Sequence, residues 1–315
     1  MTYAVGQPIA ASDYMAFRGA EAPNVAFPNA SAATDAVAAL VGVGYGSRGY
    51  GQTSITLPSV ATGDLITAGP WNNLYSAMAV INTQTGSGLT LPVDVVAGDI
   101  IQADNGSSGR PNLPLLISTL DSNRLLYSIS QMAVSSELTS TRITTWNTSI
   151  VHQWVLTFTS EDSARYFFNT GGQVYASGSR TGGSATHINV ALTTLLAQMG
   201  TIKLGALATT YTGSGGTSYP IGYYGLTGTF QTVFIHYGSA YGYTAASYTL
   251  QARVETVTGV NGGNGSIVRM QAIFATGISS DGTVDGTLTS DVQQLKADVL
   301  TVASPTYATT ISLSS

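Results

Sequence analysis

From Ile150 to Phe158 the chain alternates. Ile150, His152, Trp154, Leu156 and Phe158 fall on one side and Gln153, Thr157 and Thr159 on the other, the period of a half-buried strand. The period then changes. Ser160 is placed to cap the first amides of a helix, Glu161 and Asp162 occupy the turn where the helix dipole favours negative charge, and Ala164, Phe167 and Phe168 recur at helical spacing. Asn169 to Gly172 stop that helix with glycines suited to positive φ. A strand from Gln173 to Ser179, a turn at Thr181 to Ser184 and a helix with Leu192, Leu195, Leu196 and Met199 on one face, closed by Gly200, follow. Trp146 to Leu204 therefore predicts a β-α-β-α-β unit. Its first helix is too short to stand alone, so at least one of Phe167 and Phe168 must be core, packed on Trp154, Leu156 and Phe158.

Before this stretch the pattern is weaker. Gly6 to Ala11, Gly63 to Ala68 and Gly98 to Ala103 share the form G-[QD]-x-I-x-A at uneven spacing, the first two followed by an aromatic residue, Tyr14 or Trp71. Trp71, Leu74, Tyr75, Met78 and Ile81 predict an amphipathic helix. Gly42 to Gln52 and Glu21 to Phe27 have the glycine and proline density of loops or extended arms. Asp104 to Pro114 (DNGSSGRPNLP) is a polar linker, which divides the chain into an attachment region 1–104, a linker 105–114 and a β-rich domain 115–315 with few contacts expected to cross. Leu116, Leu120, Leu125, Ile129 and Met132 predict one helix over Leu115 to Met132, and Val134 to Thr145 an edge strand.

After Leu204 the chain reads as β structure and glycine. Tyr211 to Gly228 predicts a long loop and Phe230 to Tyr237 a short strand. Tyr248, Leu250, Ala252 and Val254, then Val268, Met270, Ala272 and Phe274, alternate with polar neighbours as a hairpin linked by Gly259 to Gly265. Asp281 to Ser290 predicts turns and a strand, Val292 to Leu300 a brief helix, and the remainder a β-like tail. The fold class is mainly β with a few short helices (α+β): a β-sandwich-like C-terminal domain plus an N-terminal attachment region with extended arms.

Composition sharpens this picture. Only 9% of the 315 residues are charged, with 36 glycines and 17 tyrosines, so the surface is uncharged and rich in hydroxyls. Such a surface suits an assembly protein covered by neighbours better than a freely diffusing enzyme. A net charge of −5, without any Lys/Arg cluster, gives no reason to bind a phosphate backbone. With no cysteine there is no disulfide framework and no thiolate metal site. The start of the chain lacks the pattern of a signal peptide, and no apolar run approaches the ~20 residues that span a bilayer, so neither signal-directed export nor membrane insertion is expected.

The run ARYFFNTGGQVYASGSRTGGSA (164–185), with GYYGL (222–226), YTLQARV (248–254) and VDGTLTS (284–290), resembles virion structural proteins of tailed bacteriophages, chiefly those described as fibre-like or as neck and tail proteins. The resemblance covers roughly the C-terminal half. It implies a location in a virion, assembled in the host cytoplasm, and carries no catalytic residue with it.

Candidate chemistry is sparse. His152, His187 and His236 lack metal-ligand spacing, and His152, on the apolar face of a strand, reads as a hydrogen-bonded core histidine. No G-x-S-x-G elbow is present, and Glu137, Glu161, Asp162 and Glu255 have no sequence reason to converge as a glycosidase pair. Asp281 and Asp285 read as Asp-Gly turns in preference to a calcium loop. No cofactor is called for. The tyrosines Tyr211, Tyr219, Tyr223, Tyr224, Tyr237, Tyr241 and Tyr243 stand among glycines, where exposed rings would stack on sugars or anchor protein interfaces. On this reading Tyr223 is a loop residue that costs little to replace.

The sequence as a whole predicts a non-enzymatic structural protein of a tailed-phage virion. Its partners would be itself, as a homo-oligomer with three copies the first expectation, and other virion proteins. A receptor- or glycan-binding module touching the host surface is the second reading, and a surface hydrolase the third.

Overall fold

The computed structural model describes residues 11–19, 37–52, 55, 57–64, 67–96, 99, 112–277 and 283–314. Glu21 to Phe27, most of the three G-[QD]-x-I-x-A copies and the linker up to residue 111 lie outside them.

The N-terminal part is helical: α1 (Ala11–Arg18), α2 (Val37–Val41) and α3 (Ala68–Thr85). Trp71, Leu74, Tyr75, Met78 and Ile81 are all buried on α3, as their spacing predicts. Tyr14, which follows the first sequence copy, meets Trp71, which follows the second, edge to face at 5.2 Å. The next helix, α4 (Leu113–Asn123), is capped by Asn112, whose side chain accepts from the Leu115 amide, so the presumed linker's end is a helix start. It stops well short of Met132. Arg124 turns its guanidinium to the Ser47 carbonyl at 3.1 Å and the chain leaves the helix, which puts Ile129 on the surface in a short 3-10 turn.

Eleven strands follow among the described residues: β1 (Met132–Arg142), β2 (Ser149–Thr157), β3 (Gln173–Thr181), β4 (Ile202–Leu204), β5 (Thr209–Tyr211), β6 (Thr217–Ser218), β7 (Gln231–Tyr237), β8 (Ser247–Glu255), β9 (Ile267–Ala275), β10 (Thr287–Ala297) and β11 (Thr306–Ser314). They form two antiparallel sheets, ordered β1-β10-β3-β4-β5 and β11-β2-β9-β8-β7-β6. Two helices interrupt them, α5 (Glu161–Asn169) between β2 and β3 and α6 (His187–Met199) between β3 and β4. The predicted β-α-β-α-β run is present element by element. It is not one sheet, because β2 joins the six-stranded sheet while β3 and β4 join the other.

Val292 to Leu300 is not helical. Val292 to Ala297 continue β10, whose pairing with β1 on one side and β3 on the other outweighs the local helix pattern of VQQLKADVL. The Tyr211 to Gly228 segment, expected as one loop, contains the pairing of β6 with β7 and a 3-10 turn at Tyr223–Gly225.

The alternating residues of β2, β8 and β9 form the buried face of the six-stranded sheet. Helix α6 packs on β3 and reaches β7 and β8 of the other sheet, and the open side of Gly178 on β3 faces Phe274 and Met199 closely enough to leave little room for a side chain. At the other end the two sheets meet directly, with the Ser140 and Thr309 hydroxyls 2.8 Å apart. Phe167 and Phe168 are both fully buried beside Phe158, with centroids 5.4 and 6.1 Å from it.

Gly42 to Gln52 is not an extended arm. Arg165 of α5, wholly buried, donates to the carbonyls of Val43 (3.0 Å), Gly46 (3.2 Å) and Arg48 (2.8 Å), while Asn169 donates to those of Gly46 and Gly49. Gly49 has φ +110, and a Cβ there would sit 2.1 Å from the Val43 carbonyl oxygen, so only glycine closes this loop. Further bonds tie the N-terminal part to the rest. Gln84 donates to the Thr170 carbonyl at 2.9 Å, Tyr50 to that of Arg124 at 2.7 Å, and Arg48 forms a bidentate pair with Asp121 at 2.8 and 2.9 Å. The expectation of few contacts across residue 104 is therefore corrected. The segment's many carbonyls needed donors, and α5 supplies them from the far side of the linker.

Candidate interaction surface

The tyrosines expected to act together separate into two groups. Tyr223 is fully buried, stacked on Phe168 at 4.5 Å; its hydroxyl donates to the Gly265 carbonyl (2.8 Å) and accepts from the Asn264 amide (3.0 Å). Burial pushes its phenol well above the usual tyrosine range. Tyr224 sends its hydroxyl to the Gly46 carbonyl (2.6 Å) and to Asn169 Oδ1 (2.8 Å), which makes Gly46 an acceptor for Arg165, Asn169 and Tyr224 together. Tyr211 is half-buried against Phe234, its hydroxyl on the Gly216 carbonyl at 2.9 Å, and Tyr243 is half-buried against the core. These four hold the fold. Exposed rings remain at Tyr219, Tyr237 and Tyr241. Tyr241 takes the left-handed conformation (φ 55) and lies flat on His187, with planes 4° apart and centroids at 4.6 Å.

The histidines sit in three different settings. His152 is buried as expected, 5.3 Å from the Phe274 ring, but neither ring nitrogen has a hydrogen-bond partner among the described residues. The expected hydrogen bond is absent because the residues nearest in the ladder, Ile311 and Ala272, offer only hydrocarbon side chains. Burial, with the Arg142 guanidinium nearby, holds its pKa down to about 4. His236 pairs with Gln198 at 3.2 Å, and His187 is taken up by Tyr241.

The carboxylates are occupied in the same way. Glu161 accepts from the Thr258 hydroxyl and from the amides of Gly259, Val260 and Gly265, so it holds the β8–β9 loop in place. Burial opposes ionisation there, but these donors leave its pKa lowered. Asp162 pairs with Arg165 and accepts from Asn261 at 2.8 Å. Asp285 accepts from the Ser184 amide (3.0 Å), Asn189 (2.5 Å) and Arg180 (3.0 Å), donors that a cation would have to displace; Asp281 lies outside the described residues. Glu255 stands between Arg253 and Arg269 at 2.5 and 2.8 Å.

The surface with a defined pattern is the outer face of the six-stranded sheet. Its residues on β2, β8 and β9 are half-exposed almost throughout. One row crosses four strands in register as a chain of side-chain hydrogen bonds: Gln153 to Gln271 (3.1 Å), Gln271 to Gln251 (2.5 Å), Gln251 to Thr232 (3.3 Å). Val151, Ile273 and Ile235 lie in the row on one side, and the Arg253, Glu255 and Arg269 cluster lies on the other. The polar half of each strand's alternation signals this face in the sequence. The glutamines' common register is invisible there, since register depends on pairings between strands distant in the chain. Among the described residues, no helix is long and apolar enough to cross a membrane. Comparison with protein-family models, with curated proteins and with solved structures finds no match.

Proposed function

We propose that this chain is a non-enzymatic structural protein of a tailed-phage virion, a fibre-like component of the neck or tail that works through assembly contacts with its own copies and other virion proteins. The observation that carries the reading is the half-exposed outer face of the six-stranded sheet, where a row of amide and hydroxyl side chains runs between an apolar row and a single Arg/Glu cluster, beside an edge strand that pairs on one side only among the described residues. Such a face loses little desolvation energy when covered, since few charges must be stripped of water. The described carboxylates Glu161, Asp162, Asp285 and Glu255 each hold a loop or a cation of the fold, which supports a scaffold over a hydrolase. The two antiparallel sheets are compatible with a β-sandwich, which would fit the same role, and the resemblance of residues 164–185 and the three later runs to virion proteins is what suggests the location.

Light scattering on the purified chain tests the assembly reading. A stable homo-oligomer at micromolar concentration is expected, and a monomer contradicts it.

A second reading, binding of a host-surface glycan, is favoured by one observation. Tyr241 is 60% exposed and held in a left-handed backbone conformation while braced by His187, an arrangement that presents a rigid aromatic ring.

A further inference from the structure

An edge strand leaves a row of amides and carbonyls without ladder partners, and folded proteins commonly blunt such edges with charges, prolines, bulges or very short length. The two sheets of this chain treat their edges differently. In the five-stranded sheet, β1 is an edge strand broken by a register shift between Ser136 and Leu138 and ended by Arg142, and β5 at the opposite edge is three residues long. In the six-stranded sheet, β6 has only two residues. The remaining edge is β11 (TYATTISLS): nine residues in unbroken register with β2, with no charge, no proline and no bulge, pairing with no strand on its far side among the described residues. Thr306, Ala308, Thr309, Thr310 and Ile311 are exposed along it.

We infer that β11 is the self-association edge of this protein, pairing antiparallel with β11 of a second copy about a two-fold axis at Thr310. The inference rests on the assembly reading above and names its surface. Three features select a second copy as the occupant. Thr310 is the midpoint of the nine described strand residues Thr306–Ser314, so centring there lets all nine of one strand face all nine of the other, an overlap of about 30 Å. An antiparallel strand pairing with itself sets Thr310 opposite its own copy at the axis and Thr306 opposite Ser314 at either end, and a strand without charge meets no like-charge repulsion. The outer face also continues without a break. Thr310 lies in register with Gln153, so the row Thr232, Gln251, Gln271, Gln153, Thr310 runs on into the same row of the partner copy, joining two six-stranded sheets into one of twelve strands. A two-fold edge closes on itself. It specifies a dimer where composition alone suggested three copies, and the one longer edge strand among the described residues, β1, is interrupted by its register shift between Ser136 and Leu138.

The absence of cysteine makes the test clean. In the full chain, Thr310→Cys introduces a single thiol, and at the two-fold the paired Cα atoms would stand about 4.5 to 5.5 Å apart, within disulfide range. Oxidation is expected to yield a covalent dimer, while Thr249→Cys, on β8 of the same face, stays uncrosslinked. Thr310→Lys sets two like charges against each other and is expected to raise the dimer dissociation constant at least tenfold with unchanged circular dichroism; mixing it with Thr310→Glu should restore the dimer. If the wild-type chain is an oligomer yet Thr310→Cys does not crosslink and Thr310→Lys leaves its mass unchanged, the β11 edge is wrong and assembly uses another surface. A wild-type monomer with no crosslink overturns both readings.

Discussion

Phe168 and Tyr223 lie face to face in the core, centroids 4.5 Å apart and planes inclined by only 12°, although 55 residues separate them. Through this stack α5 meets the glycine-rich segment that runs from β6 to β7, and the Tyr223 hydroxyl fastens both to the β8–β9 loop at Asn264 and Gly265. Tyr223→Ala is therefore expected to cost about 3 to 5 kcal/mol, as much as Phe168→Ala, and Tyr223→Phe about 1 to 2 kcal/mol for the lost hydrogen bonds. Tyr241→Ala, at an exposed ring, should stay within about 0.5 kcal/mol. Urea melts of the four variants check this ranking; a silent Tyr223→Ala would mean the core is misplaced.

Arg165 is expected to be the costliest polar side chain to remove. Arg165→Met leaves the carbonyls of Val43, Gly46 and Arg48 short of a donor and Asp162 without its cation, a loss of about 3 kcal/mol or more. The 42–52 loop should then become the first site of limited proteolysis. By the same contacts a chain cut after residue 104, which removes the partners of Arg165, Asn169 and Tyr224, should melt at a markedly lower temperature than the whole protein, and equal melting temperatures would show the C-terminal domain to be independent.

His152 makes stability depend on pH in a defined direction. Its folded pKa of about 4 lies below the unfolded value near 6.5, so the unfolded chain binds the proton first. The contribution of neutral His152 is fully present above about pH 6.5 and is lost as pH falls through 4, amounting to roughly 3 kcal/mol. His152→Leu should flatten that slope in melts between pH 4 and 7. Because both ring nitrogens lack partners among the described residues, the substitution is expected to be neutral or stabilising at pH 7. An unchanged slope would place the acid sensitivity elsewhere.

The glycan reading makes its own prediction. If Tyr241 is a sugar platform, the full chain should bind defined glycans on an array, and Tyr241→Ala should abolish that binding while leaving the melting temperature unchanged. Binding that survives the substitution would move the contact to another surface, and an array without any signal favours the scaffold.

Local pattern carried much of this fold. Alternation placed the inward residues of β2, β8 and β9, and the Ser160 cap and the Phe167 and Phe168 pair located α5, because those signals are properties of a few consecutive residues. Failures occurred where distant segments decide. VQQLKA became strand because β1 and β3 flank it, and Tyr223 became core because Phe168 offers a ring to stack on. Glycine density in GVGYGSRGYGQ correctly marked irregular backbone, but a loop of free carbonyls reads the same whether it hangs in solvent or is gripped by a buried arginine. The candidate surface was legible only as polar alternation; its glutamine row needed the register of four strands.

The claim on which the rest depends is that the chain is a virion component, and imaging of intact particles tests it most directly. Purified tailed-phage particles carrying this chain with a small terminal tag should show label at the neck or tail in a fixed number per particle, a multiple of two if β11 sets the pairing. Particles that carry no label, while the tagged chain accumulates free in the lysate, would contradict the account.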